Sequence, residues 1–217
     1  MLAVSGRKFD AEARTRSHQG VLALAEPLVE TTLDDLCEPT GSGRWLRPPF
    51  ILVLDGVTDP QNVGSLFRIA ECAGVTGVVL GRHGAAHVTP TVAKVAAGAI
   101  EHLKIAVAPG IPTAIARLTT SGVNCIGLDA GAELSIYEVD YEASEDVGSG
   151  VALVLGDEGR GLAALTKRRC NVLASIPQRG SIGSLNVAAA GAVACFEIAR
   201  HLGGNADPAS PHNRSSF

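Results

Sequence analysis

Three stretches of this chain place polar residues and glycines where apolar runs end, which is where a fold can present them to a ligand. The first is LDGVTDPQNVGSLFRIAECAG, in which an apolar strand turns through Asp, Gly, Pro and Asn into a helix. Val63, Leu66, Phe67 and Ala70 follow helical spacing there. Asn62 falls at the cap of that helix, where an Asn side chain accepts a backbone N–H and contributes roughly 1 kcal/mol. A capping role and a role in a site both stay open. Arg68 lies off the apolar stripe, one turn beyond Gly64, so the missing side chain leaves space for a partner to approach the guanidinium. The competing reading is a surface ion pair with an acidic neighbour such as Glu71.

The second stretch, VALVLGDEGRGL, is an apolar strand feeding a turn with Gly156, Gly159 and Gly161 at its corners. Strand, glycine turn and helix suggest a nucleotide site at the carboxyl end of a sheet, although glycines that serve the backbone alone would look the same. The spacing is G-x-x-G-x-G, so it is not the dinucleotide fingerprint, and no P-loop pattern occurs in the chain. Asp157 and Glu158 would repel a pyrophosphate. A ligand without phosphates, or with a positive charge, fits better, and S-adenosylmethionine has both properties.

The third stretch is IPQRGSIGSLNVAAAGAVACFEIAR. A strand ends at Ile176-Pro177, a loop holds Gly180 and Gly183, and Ser184 opens a long helix, as an N-cap in the plainer reading. Ala188, Ala189, Ala190, Gly191, Ala192 and Ala194 give that helix a small face. Such a face permits close approach of another element or of a second subunit. Asn186, in the first turn, has no evident core role.

Positioning these turns requires a scaffold, and from Phe50 onward short β-branched runs alternate with helix-like stretches. FILVL, GVVL, LKIAV, VNCIGL, VALVL and NVLASI read as strands. The helices between them include one near Leu162 to Arg169 and one from Ser184 to His201. Repeated βα units predict an α/β fold with a mostly parallel sheet covered by helices on both faces. Thr89-Pro90 and Ile111-Pro112 mark helix starts, and Gly74 and Gly122 mark helix ends. Residues 1–49 lack sustained periodicity beyond short helices at Val21 to Ala25 and Thr32 to Leu36, so they read as an arm or linker. Residues 50–203 read as one α/β domain that carries the three turns, and 204–217 as a disordered tail.

The bulk composition narrows the function classes. The 217 residues are 46% hydrophobic, enough for one well-buried domain. The five cysteines lack metal-ligand spacing and read as buried free thiols in a reducing compartment. No signal-peptide core or membrane-length apolar run occurs, which places the protein in the cytoplasm. The net charge of −4 opposes a nucleic-acid partner, but seven acidic residues and no basic one lie between Asp129 and Asp146, leaving −4 + 7 = +3 elsewhere. Arg160, Lys167, Arg168, Arg169 and Arg179 cluster in sequence, as a basic face or as solvated surface. His83, His87 and His102 have no nucleophile in an elbow beside them, so no catalytic triad is suggested.

In this order, D-P-x-N-x-G-x-x-x-R at Asp59 to Arg68, G-x-E-G-x-G at Gly156 to Gly161 and S-L-N-V at Ser184 to Val187 resemble the three motifs of the SpoU branch of the SPOUT RNA methyltransferases. The resemblance covers about Phe50 to Leu202. HQGVLA at His18 to Ala23 is also similar to the linker of the 23S ribosomal RNA guanosine-2′-O-methyltransferase subgroup, whose small RNA-binding domain would precede it. The resemblance implies a C-terminal deep trefoil knot, an exception to the usual absence of knots. It also implies a homodimer with the site built across two subunits, S-adenosylmethionine as cofactor, no metal, and structured RNA as partner: ribosomal RNA first, transfer RNA as the alternative. Carried over, Arg68 would be the catalytic arginine, positioning or deprotonating a ribose hydroxyl. Asn62, Glu158, Ser184 and Asn186 would hold the site together, and the cofactor would lie against Gly156, Ile176 and Leu185, with Gly161 on the same turn. The rivals are a non-catalytic RNA-binding protein of this fold and a dinucleotide-dependent enzyme, the latter disfavoured by the missing fingerprint.

Overall fold

The apolar runs form six strands, β1 (Phe50–Asp55), β2 (Gly77–Gly81), β3 (Lys104–Ala108), β4 (Asn124–Leu128), β5 (Val151–Gly156) and β6 (Val172–Ala174). All of their pairings are parallel, in the order β3-β2-β1-β5-β4-β6. The computed structural model that carries them describes residues 28–41, 47–82, 88–141, 150–181 and 183–202. The expected helix at Val21 to Ala25, His83, His87, the acidic residues 142–149 and the tail lie outside the described residues. Every residue of β2 and β5 is buried, as a parallel strand covered on both faces requires.

Among the described residues six α-helices cover the sheet: α1 (Leu33–Leu36), α2 (Pro60–Cys72), α3 (Pro90–Ala96), α4 (Ile111–Thr120), α5 (Ala164–Arg169) and α6 (Val187–Leu202). One apolar cluster joins Leu52, Leu54 and Leu153 to α2, α3 and α6, and a second joins Ile51, Val53 and Val154 to α1 and α4. The predicted punctuation holds. Thr89 caps α3 with Pro90 at its first position, and Gly74 and Gly122 follow α2 and α4 with positive φ. The last strand and the helix before it are shorter than the sequence suggests.

Two expectations need correction. The cysteines are free, but only Cys125 and Cys195 are buried; Cys37 and Cys170 are half-buried and Cys72 is exposed. Burial pushes the Cys125 thiol up to about 11 and the Cys195 thiol up to about 12, which keeps both protonated and unreactive. The space expected beside Gly64 is filled by α3, since a Cβ there would stand 2.6 Å from Val95 Cβ and 2.9 Å from the Val92 carbonyl oxygen. Gly64 therefore serves the packing of α3 on α2, and the missing side chain opens no space there for a partner.

Residues 31–37 dock on the sheet. Thr31 donates its N–H to the Ile105 carbonyl of the edge strand β3, 2.9 Å away. Thr32 and Asp35 form a reciprocal capping box on α1. Arg117 of α4 grips Asp34 through two hydrogen bonds of 2.7 and 2.6 Å, which holds the Asp34 carboxyl below its ordinary range. Leu36 is 2% exposed and occupies the place a side chain at Gly77 would take. Leu36→Ala is expected to lower unfolding stability by about 2–4 kcal/mol, read from urea denaturation. An unchanged midpoint would mean that this segment is an arm independent of the sheet.

Candidate active site

The strand order reverses between β1 and β5, whose carboxyl ends meet with Asp55 opposite Gly156. Such a reversal sends the two following loops to opposite faces of the sheet and opens a crevice between them. The β5 loop folds back on its own strand. Gly161 donates its N–H to the Asp157 carbonyl at 2.8 Å, and a Cβ on Gly156 would collide with the Gly161 backbone. Gly161 itself has a φ of +66°, the left-handed region that glycine enters without strain. Asp157 turns inward, accepting the N–H groups of Gly159 at 2.9 Å and Arg160 at 3.0 Å. Glu158 is thereby aimed at the other two motifs.

Three residues distant in sequence meet there. Glu158 Oε1 accepts from the side-chain amide of Asn62 and, at 2.9 Å, from that of Asn186. Asn186 also donates to Asn62 Oδ1 at 3.1 Å. Asn62 is 8% exposed and lies third in α2, not at its cap. The cap is Asp59, whose Oδ1 accepts from Gln61 N–H at 3.0 Å and whose Oδ2 accepts from Asn62 Nδ2 at 3.0 Å. Pro60 takes the first helical position, so the residue before it carries the cap.

The start of the last helix also moves. Helix α6 begins at Val187, and Asn186 caps it by accepting from Ala188 N–H at 2.9 Å and Ala189 N–H at 3.3 Å. Ser184 is therefore not the cap. The small face of α6 is explained in part within the chain, since a Cβ at Gly191 would collide with Leu66 of α2. Ala189, Val193 and Phe196 stay outside, with Phe196 51% exposed.

Beside this junction lies a cavity of about 340 Å³ lined by Leu128, Asp129, Leu155, Gly156, Gly161, Lys167, Ile176, Ser184, Leu185 and Val187, among others. Gly156, Gly161, Ile176, Ser184 and Leu185, singled out in the sequence, thus share one wall. Asn62 and Asn186 tie that wall to α2. Arg68 does not line the cavity and is exposed, with no hydrogen bond or ion pair among the described residues; the expected pairing with Glu71 is not formed. Asp129 and Lys167 were missed. In the sequence Asp129 stands out only as one charge in an acidic run, and the signal that marks it is its place directly after the strand NCIGL. The Lys167 side chain beside Asp129 holds its carboxyl below the ordinary range, helped by the Gly131 N–H at 2.9 Å.

The arrangement suits a nucleoside-sized ligand without phosphates. Aliphatic side chains face the cavity, and the amides of the glycine turn are taken by Asp157. The volume falls in the range of small-molecule sites, roughly 300–1,000 Å³. Among the described residues no group of three His, Cys, Asp or Glu side chains is placed to hold a metal ion, and no helix is long and apolar enough to cross a membrane.

The SpoU rRNA Methylase family matches residues 49–196. The chain is 37% identical over 201 residues to the 23S rRNA (guanosine-2′-O-)-methyltransferase RlmB of Ralstonia nicotianae, covering 92% of this chain and 76% of that protein. RlmB of Shewanella oneidensis is 35% identical over 203 residues, with 92% and 78% covered. An AdoMet-bound rRNA methyltransferase from Sinorhizobium meliloti has a TM-score of 0.69 at 28% identity, over 80% of this chain and 62% of that one. This chain therefore spans less than two thirds of the length of that solved structure.

The junction makes a prediction independent of any ligand. Asn62→Asp replaces a donor with a carboxylate facing Glu158 and Asp59, which raises the new carboxyl's folded-state pKa above its unfolded value. A group raised in this way favours folding only while protonated, so the variant's deficit should be about 1–3 kcal/mol at neutral pH and shrink as pH falls through that raised value. Urea unfolding of both proteins across this range measures it; a deficit that does not change with pH would show that the amides do not meet the carboxylates.

Proposed function

This chain belongs to the SpoU rRNA methylase family, and on that premise we propose that it transfers the methyl group of S-adenosylmethionine to a ribose 2′-hydroxyl of RNA, at a guanosine of 23S ribosomal RNA. The observation that carries the proposal is the junction of Asn62, Glu158 and Asn186 beside a cavity with no phosphate cradle. When bound, S-adenosylmethionine supplies a sulfonium methyl that is already a good electrophile. The protein's own share is therefore orientation of the hydroxyl and an increase in its nucleophilicity.

Gly156, Gly161, Ile176 and Leu185 would hold the cofactor, with their backbone groups and the neighbouring aliphatic side chains enclosing its adenosine. Asn62, Glu158 and Asn186 keep the glycine turn, α2 and α6 in fixed relation, and Ser184 completes the wall. Arg68 would donate to the ribose oxygen and stabilise the charge that develops there. Guanidinium stays protonated, so it acts by positioning and electrostatics and the proton leaves to solvent.

Six residues separate Arg68 from Asn62 on α2, roughly 9 Å along the axis, and Arg68 does not line the cavity of its own chain. We therefore assign it to the site of a second subunit. The uncovered stripe of Ala189, Val193 and Phe196 on α6, the helix packed against α2, supports that homodimer. Arg160, Arg168, Arg169 and Arg179 are exposed and would take RNA phosphates. An enzyme of ribosomal RNA works in the cytoplasm, where we place it.

Labelled methyl transfer to unmodified RNA, scored as alkali-resistant dinucleotides, tests the proposal. Label in ribosomal RNA supports it, label in transfer RNA alone changes the target, and absence of cofactor binding refutes it. Arg68→Ala should abolish transfer while leaving cofactor affinity within about threefold, since ground-state binding does not use it; a large loss of affinity would refute the role. Phe196→Glu should sediment as a folded monomer and lose transfer, whereas an active monomer would remove the second subunit from the site.

A further inference from the structure

We propose that Asp129 binds the ribose hydroxyls of the cofactor, so that the carboxyl end of β4 fixes the orientation of the adenosine. The inference rests on the cofactor reading above and extends it to a residue outside the three motifs. Gly127 pairs with Val154 in the β4–β5 register, and two residues further along each segment Asp129 and Gly156 both line the cavity. The crevice outside the carboxyl ends of the strands is where open parallel sheets bind ligands, and a carboxylate placed there can accept from both hydroxyls of a ribose.

The side chain is held in place for that task. Asp129 N–H donates to the Ala174 carbonyl of β6 at 2.9 Å, which fixes the backbone between two strands. Its Oδ1 accepts from Gly131 N–H at 2.9 Å, and its Oδ2 pairs with Lys167 Nζ. The Asp129 side chain is only 16% exposed and that of Lys167 38%, and both residues line the cavity.

A carboxylate offers about four lone-pair positions, and these two partners leave room for two more donors. A vicinal diol supplies two O–H donors and no charge. The pair with Lys167 already balances the carboxylate, so a neutral donor completes the site without leaving a buried charge uncompensated. The ammonium of the cofactor's amino-acid end would add a third charge to a balanced pair.

Calorimetric titration of the full chain separates these possibilities with three probes: S-adenosylhomocysteine, 5′-methylthioadenosine, which lacks the amino-acid end, and the 2′-deoxy form of the latter. The unsubstituted protein should prefer the ribo over the deoxy compound. Asp129→Ala should weaken S-adenosylhomocysteine and methylthioadenosine alike by about 10–100-fold and erase the ribo preference. Asp129→Asn, which is isosteric and keeps an acceptor for Gly131, should retain the fold and lose part of the preference. A loss confined to S-adenosylhomocysteine would assign Asp129 to the amino-acid end and overturn the proposal. Equal losses for the ribo and deoxy compounds would overturn it by reducing Asp129 to a structural brace, as would undiminished affinity. If the unsubstituted protein bound none of the three, the cofactor reading itself would fall, and this inference with it.

Discussion

One carboxylate oxygen, Oε1 of Glu158, receives hydrogen bonds from the side-chain amides of Asn62 and Asn186, residues 96 and 28 positions away. The identities of all three follow from that meeting. Asn62 donates to Glu158 and Asp59 through Nδ2 and accepts from Asn186 through Oδ1, so both ends of its amide are committed and its orientation is fixed. Asn186 donates into the cluster with Nδ2 while Oδ1 caps α6. An Asp at either place would lose the donor, and a Leu would leave Glu158 without its partners. Because Asn62 is nearly buried, an unmet amide there would cost about 1–3 kcal/mol. The junction thus ties three segments together at the carboxyl end of the sheet.

The scaffold makes that meeting possible through close backbone approach. β1 and β5 run side by side to the same end, and the reversal of strand order sends their loops apart. The glycine turn can double back only because Gly156 lacks a side chain, and α6 can approach α2 only because Gly191 does. These contacts also explain why so much of the chain is Ala and Gly. Helices packed this closely leave the loop ends near enough to bond directly.

Much of this was legible in the sequence, and the failures share a cause. The alternation of apolar runs gave the six strands, and the order of the three motifs gave the site's wall, because both depend on local spacing. Asn62 was misplaced at a helix cap because Asp59 competes for that role, and the Asp-Pro pair settles the competition. Ser184 and Asn186 are both good caps, and only the packing of α6 against α2 selects the second. Gly64 looked like open space because the crossing of α3 over it depends on Val95, thirty-one residues away in sequence. Asp129 is hidden in an acidic run, and although the short helix at Thr32 to Leu36 is legible, its docking is not, because that depends on Gly77, Ile105 and Arg117, far away in sequence.

The carboxyl end of the sheet has three clusters of backbone N–H groups that would ordinarily invite a phosphate. Each is already taken. Asp59 closes the start of α2, Asn186 closes the start of α6, and Asp157 closes the glycine turn. A nucleotide entering here would find its usual anion sites filled by side-chain oxygens, two of them anionic. The cavity that remains combines the aliphatic Leu128, Leu155, Ile176, Leu185 and Val187 with the Asp129–Lys167 pair and the polar rim of Glu158, Arg160, Gln178 and Ser184, a mixture that suits the apolar faces and polar edges of an adenosine. The same capping that builds the site therefore occupies the backbone N–H groups to which a phosphate would otherwise bind.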